Sequence, residues 1–226
     1  MYRERPAAIA GAVLWTSHSA GRPTRVLPDG CLDLLWSSRA GLLVAGPDRR
    51  AYVTGSAAGE RWLGLRLPPG VGPAVFGVSA DELRDRRVPL EALWGRAAGE
   101  IAERLGDRPT GAALTAVAAG RLAAAGGPDP LGPRVAALLA AGRSVAATAA
   151  EVGLDPRLLH RRSRALFGYG PKTLARILRM RRALALAGTG IGLAEVAART
   201  GYADQAHLTR DVRDLAGVPP RALLGG

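Results

Sequence analysis

The feature that most restricts this chain is a pattern that occurs twice between Ser144 and Pro220. The first copy runs Val145-Ala-Ala-Thr-Ala-Ala-Glu-Val-Gly153, then Asp155-Pro-Arg-Leu-Leu-His-Arg161, and ends on Gly168 and Pro171. The second runs Leu193-Ala-Glu-Val-Ala-Ala-Arg-Thr-Gly201, then Asp204-Gln-Ala-His-Leu-Thr-Arg210, and ends on Gly217 and Pro220. Val145, Ala149, Ala150 and Gly153 match Leu193, Ala197, Ala198 and Gly201 at an offset of 48, whereas Arg161, Gly168 and Pro171 match Arg210, Gly217 and Pro220 at 49. The second copy therefore has one extra residue after its glycine. Each copy reads as a short alanine-rich helix, a glycine turn too tight for most side chains, and a second helix, which is the grammar of a helix-turn-helix.

A helix from about Leu131 to Ala141 ends at Gly142, and Ser144 caps the next. In the second helix of the first motif, Asp155 is the expected N-cap and Pro156 fits the first turn. Leu158, Leu159, Arg162 and Leu166 recur at helical steps and form the inward stripe, leaving Arg157, His160, Arg161 and Arg164 largely on the other side. In the second motif, Leu208, Val212 and Leu215 face inward, while Gln205, Ala206, Thr209, Arg210 and Arg213 face outward. An outward face of this kind suits the major groove of double-stranded DNA, where glutamine pairs with adenine and arginine with guanine. Glutamine and arginine on these outward faces are therefore the side chains suited to reading bases. Ala206 is limited to a thymine methyl contact. Ser144, Arg164, Tyr169, Lys172 and Arg213 are the expected phosphate contacts. Gly170-Pro171 opens a linking helix through about Ala187, about 25 Å long at 1.5 Å per residue. With the widths of its neighbours it can space two recognition helices for major-groove faces about 34 Å apart.

Charge points the same way. The chain has a formal charge of +12, carried by 30 arginines and a single lysine, Lys172. From residue 128 onward there are 15 basic and 7 acidic residues, against 16 and 12 before it, so the excess sits with the repeat. A GC-rich genome accounts for arginine in place of lysine but not for this asymmetry, which fits a polyanion partner. The one cysteine, Cys31, leaves no intramolecular disulfide and no multi-cysteine zinc site. His18, His160 and His207 are scattered, so neither a metal site nor a Ser/His/Asp arrangement is expected, and no cofactor or enzymatic activity is inferred. Without an apolar run of 18 residues or a secretion signal, a cytoplasmic protein that makes no membrane contact is expected.

Before the repeat, short apolar runs alternate with turns: Val13-Leu-Trp15, Cys31-Leu-Asp-Leu-Leu-Trp36, Gly41-Leu-Leu-Val44, Ala51-Tyr-Val53 and Trp62-Leu-Gly-Leu-Arg-Leu67. Such lengths and punctuation predict a small antiparallel barrel or sandwich. Ser79-Ala-Asp-Glu82 reads as a capping box opening a short helix. Residues 90–105 show helical spacing, and Thr110 to Ala125 reads as another helix. The fold class is thus α+β: a β-rich domain over 1–125 with a helical extension over about 79–125, a Gly/Pro-rich linker at 126–133, and an all-α domain over 134–226. Trp15, Trp36 and Trp62 with Asp33 and Arg66 could line a barrel mouth for a small effector, although tryptophans in small β domains are usually core. In the Pro28-Asp29-Gly30 turn Asp29 is expected to cap backbone groups.

The repeat, the linking helix opened by Gly168-Tyr-Gly-Pro-Lys172, and the run Gly201-Tyr-Ala-Asp-Gln-Ala-His-Leu-Thr-Arg210 with Ala216-Gly-Val-Pro-Pro220 resemble the C-terminal domain of AraC/XylS-type transcription regulators, over roughly residues 131–224. The resemblance implies two helix-turn-helix units on one asymmetric DNA site, with base-reading positions at Arg157, His160 and Arg161 and at Gln205, Ala206, Thr209 and Arg210. Ser163 and Val212 stand where that family usually has an aromatic residue. Pro28-Asp-Gly-Cys-Leu-Asp-Leu-Leu-Trp36 and Glu82-Leu-Arg-Asp-Arg-Arg-Val-Pro-Leu90 look like phrases of the small β-rich domain of unknown function that precedes this module in many actinobacterial regulators. A sequence-specific transcription regulator follows, with an effector or a protein partner at the N-terminal domain, RNA polymerase as a further partner, and a homodimer contact through the helices of residues 90–125. One alternative is a repair-type methyl acceptor using Cys31, against which stands the absence of neighbouring bases to activate it. Another is a regulator whose N-terminal domain binds protein and no small molecule.

Overall fold

The structure is a computed structural model describing residues 2–224; the outermost residues of the two expected domains, 1 and 225–226, lie outside these. A six-stranded antiparallel sheet has the order β1-β2-β7-β4-β5-β8. Its strands are β1 (Tyr2–Pro6), β2 (Val13–His18), β4 (Leu32–Ser37), β5 (Gly41–Ala45), β7 (Arg61–Leu67) and β8 (Arg87–Pro89). A separate ribbon pairs β3 (Thr24–Val26) with β6 (Tyr52–Thr54). In the central strands, side chains alternate between faces. Leu63, Leu65 and Leu67 of β7 pair across the sheet with Trp36, Leu34 and Leu32 of β4, and these leucines are buried. Helices α1 (Gly72–Phe76), α3 (Arg96–Leu105) and α4 (Gly111–Ala124) supply Val75, Phe76, Ala98, Ile101, Leu114 and Ala118 to the same core. The sheet is open, with β1 and β8 at its edges, so helices close its apolar face where a barrel would close on itself.

Two helical expectations differ. The capping box is half present, Ser79 N–H donating to Glu82 Oε1 at 3.2 Å, yet only turns follow. The Ala80 N–H is drawn off to the Ala165 carbonyl, and Asp85 adopts a left-handed φ of 58°, which stops a helix from propagating. The predicted helix over 90–105 is broken at Gly95 (φ 53°, ψ −135°) into α2 (Glu91–Trp94) and α3. That glycine conformation lets Trp94 send its indole N–H to the Phe76 carbonyl.

The second half is helical: α5 (Leu131–Ala140), α6 (Val145–Glu151), α7 (Pro156–Phe167), α8 (Pro171–Ala187), α9 (Leu193–Thr200), α10 (Gln205–Ala216) and α11 (Pro220–Leu224). Helix α8 runs through the middle, burying Leu174, Ile177, Met180, Ala183 and Ala187 in a second, separate core. The two halves meet at the turns that end β7 and precede β4. Gly30 lies against Leu174, and a Cβ on Gly70 would come within 2.7 Å of the Gly132 Cα, so a side chain at Gly70 would push the halves apart. Asp29 takes its expected role, accepting from the Cys31 N–H at 2.9 Å.

Candidate nucleic-acid interface

Helices α7 and α10 are built by the same local chemistry. Asp155 accepts from the N–H groups of Arg157 and Leu158, and Asp204 accepts from that of His207, so each helix starts on a carboxylate cap. Each ends on a left-handed glycine, Gly168 (φ 81°) and Gly217 (φ 76°). Between these ends, Arg157, His160 and Arg161 of α7 and Gln205, Ala206, Arg210 and Arg213 of α10 stand exposed, with Thr209 half-buried. The His160 imidazole leans back on Gly170, where a Cβ would come within 2.7 Å of the ring. Over α8, between the two units, lies a cleft of about 710 Å³ whose lining includes Arg143, Ser144, Lys172, Arg176, Arg179, Arg182 and Arg210, with Asp211 and Asp214 as the acids among them. Ser144 also caps α6, its Oγ accepting from the Ala147 N–H at 3.1 Å. Fixed cations around a concave surface favour a phosphate-bearing ligand.

Several expected residues stand elsewhere. Tyr169 is only 4% exposed. Left-handed Gly168 turns the chain inward there, and burial beside Asp29 and Cys31 pushes the phenol well above its ordinary value. A phosphate cannot reach it. Arg164 points to the N-terminal half, its guanidinium 2.9 Å from Asp81. Arg162 is not on the inward stripe: it pairs with Asp129, and Ser163 occupies the buried position, its Oγ without a hydrogen-bond partner among the described residues. Position 163 lies four residues after Leu159 and three before Leu166, on the buried stripe, and Arg162 falls outside it.

The residues proposed as an effector pocket are divided by the sheet. Cross-strand partners share a face, so Trp15, Asp33, Trp62 and Arg66 lie on one side, whereas Trp36, opposite Leu63, lies on the core side. The Trp15 indole covers Gly64 and donates to Asp33 at 2.8 Å. Arg66 is occupied by Glu4 at 3.1 Å, Asp29 at 3.3 Å and Asp33 at 3.8 Å. Burial raises Asp33 to about 6 despite the adjacent Arg66. Burial, with Asp29 and Asp33 alongside, pushes the Cys31 thiol well above its ordinary value, which holds it in the unreactive protonated form.

The sequence did not reveal what fastens the second unit. Asp211 is 5% exposed and sits inside the apolar arc of α10. It accepts from Arg176 Nε at 2.7 Å, Arg179 Nη2 at 3.1 Å and the Tyr202 hydroxyl at 3.1 Å. Arg179 lies over the Tyr202 ring, 4.1 Å from its centroid, and burial first, then Asp211, raises that phenol to about 12. Arg182 ties α8 to the ends of α5 and α9 by donating to the carbonyls of Ala140 (2.6 Å) and Thr200 (2.9 Å). The only sequence signal was an acid between Leu208 and Leu215 with two arginines three residues apart on the linking helix.

Residues 135–225 match a family described as Helix-turn-helix domain, and residues 12–89 match a Domain of unknown function (DUF6597). No curated protein matches the chain. Among solved structures, an apo variant of ToxT from Vibrio cholerae is similar at 12% identity over 99% of both chains, with a TM-score of 0.53. ToxT bound to (E)-4-(8-methylnaphthalen-1-yl)but-3-enoic acid is similar at 9% identity over 99% of this chain and 98% of its own, with a TM-score of 0.52. A probable AraC family transcriptional regulator from Rhodopseudomonas palustris is 22% identical over 43% of this chain and 96% of its own, with a TM-score of 0.38. The chain carries an AraC-type helix-turn-helix domain in its C-terminal region and a DUF6597 domain in its N-terminal region.

Proposed function

We propose that this protein is a sequence-specific, cytoplasmic transcription regulator that lays α7 and α10 into successive major grooves of one DNA site. The observation that carries the reading is the pair of helices with exposed polar faces, each begun on an aspartate cap and ended on a left-handed glycine, with an arginine-rich cleft beside α10. Arg157, Arg161, Gln205, Thr209 and Arg210 are the base-reading candidates, with His160 turning outward from Gly170 on binding. Ser144, Lys172 and Arg213 are the phosphate-contact candidates. Selection of bound duplexes from random DNA tests the reading: enrichment of one asymmetric site is expected, and recovery of unenriched sequence would overturn it. Lys172→Ala should weaken binding to all sequences alike and reduce the salt slope by about one.

Control would enter through the N-terminal domain, which touches both recognition helices. ToxT, whose fold this chain shares, has been solved with an unsaturated fatty acid bound. A carboxylate ligand at Arg66 here would have to displace Glu4, Asp29 or Asp33, so a protein partner or a ligand exchanging with those acids fits better than a vacant anion site. A homodimer would form over α4, where Ala8, Ile9, Ala119, Leu122 and Ala123 line an apolar groove of about 400 Å³. A monomer mass by light scattering at micromolar concentration would refute it.

A further inference from the structure

We propose that Arg25 and Arg84, both in the N-terminal domain, are positioning residues for DNA binding. Each holds the C-terminal end of one recognition helix, and loop 47–51 sets the separation between them. The inference rests on the reading of α7 and α10 as recognition helices.

The last carbonyls of a helix have no partner within it, and they carry the negative end of its dipole. At α7 the Ala165 carbonyl accepts from the Ala80 N–H at 2.8 Å, and the Gly168 carbonyl accepts from Arg84 Nη1 at 2.9 Å. At α10 the Leu215 carbonyl accepts from the Ala51 N–H at 2.7 Å, and the Ala216 carbonyl accepts from Arg25 Nη1 at 2.8 Å. The same device, one backbone donor and one guanidinium, is thus used at both helices by four residues that lie far in the chain from the helices they grip. Loop 47–51 joins the two ends. Pro47 packs on Gly168, where a Cβ would come within 2.6 Å of its ring, and Ala51 is the donor to α10. Five residues span at most about 14 Å between their outer Cα atoms.

The loop is also stiffened. Asp48 binds Arg87 through two parallel hydrogen bonds of 2.6 and 2.5 Å, and Asp85 takes both the N–H and the Nε–H of Arg49 at 2.8 and 2.6 Å. Arg87 lies 4.1 Å from the centroid of the Tyr52 ring, next to Ala51. The brace grips only C-terminal ends, so Arg157, Arg161, Gln205 and Arg210 remain exposed for the grooves. It leaves the DNA face open while fixing how far apart the two helices stand, and the protein should tolerate one spacing between its two DNA segments.

The test uses the whole chain and duplexes it selects from random DNA, with one base pair added or removed between the two contacted segments. The wild-type protein should lose at least about tenfold in affinity on either change, and the Arg25→Ala/Arg84→Ala variant less than about threefold, because the helices are no longer held at one distance. Affinity for a duplex carrying one segment should not change. The Arg25→Lys/Arg84→Lys variant should restore the sharp preference, since an ammonium also donates to a carbonyl. Two glycines inserted after Arg50 should broaden the preference without touching either arginine. An alanine variant as selective for spacing as wild type, or one that loses single-segment binding in equal measure, would overturn the brace. Failure of the wild-type chain to select any DNA would overturn the reading beneath it and the brace together.

Discussion

The first recognition helix, α7, rests on Leu159, Leu166 and Phe167 and reaches across the domain seam through Arg164 to Asp81. The second, α10, adds to Leu208, Val212 and Leu215 a buried carboxylate gripped by Arg176, Arg179 and Tyr202 of its own half. Both are gripped at their C-terminal ends by the N-terminal half; beyond that, the first adds to its apolar packing an ion pair across the seam, and the second an ion lock on the linking helix. Such a lock stabilises little relative to apolar side chains of the same shape, but its rupture is costly because charges are left buried without partners.

The largest test of that contrast is Asp211→Ala. It should destabilise the protein by about 3 kcal/mol in urea unfolding, toward the low side because Arg176 is more than a third exposed, with amide exchange accelerated in α10 more than in α7. A loss below about 1 kcal/mol would mean that both units are held in the same way.

Close behind comes the sheet of the N-terminal half, whose β4 carries Asp33. Its proton is held more tightly in the folded state, at about 6, than at its ordinary value near 4. The contribution of Asp33 to stability is therefore full below pH about 4, declines as pH rises, and is lost above about 6, a span of about 3 kcal/mol. Asp33→Asn should abolish that decline between pH 4 and 7 while keeping an acceptor for Trp15. Identical slopes in the two proteins would show that the carboxylate is charged at no cost. Asp81, lowered by its bond from Ser79 and by Arg164, acts with the opposite sign, its share being present above the ordinary value and lost as pH falls.

On DNA, Arg210→Ala should cost about 1 to 3 kcal/mol on the specific site and relax the preference at one base pair. Arg161→Ala, on the more arginine-rich helix, should lower specific and random binding more equally. Equal losses for both variants on both kinds of DNA would erase the division into an anchoring and a reading half. Smallest is Ser163→Ala, which removes a buried hydroxyl lacking a partner and should leave stability unchanged or raise it by at most about 1 kcal/mol in thermal unfolding. A loss larger than that would reveal a partner for the hydroxyl and a polar tie in the first unit too.

The repeat made most of the C-terminal half legible, because helix caps, glycine stops and apolar spacing act within a few residues of one another. Asp155, Gly168, Asp204 and Gly217 each mark the helix end they make. The strands rich in Leu, Val and Trp were legible for the same reason. Strands β1 and β3 were not, since all their residues are exposed and carry no alternation, and their pairing depends on β2 and β6. Burial of Asp211, the inward turn of Tyr169 and the placing of Trp36 across the sheet from Asp33 were decided only in three dimensions. The sequence by itself determined two similar helical units, an arginine-rich surface and an antiparallel sheet, whose causes are local. Tertiary structure decided which charges are buried and how the N-terminal half holds both recognition helices, because these depend on groups such as Arg25 and Ala216, 191 positions apart, that meet only once both cores have formed.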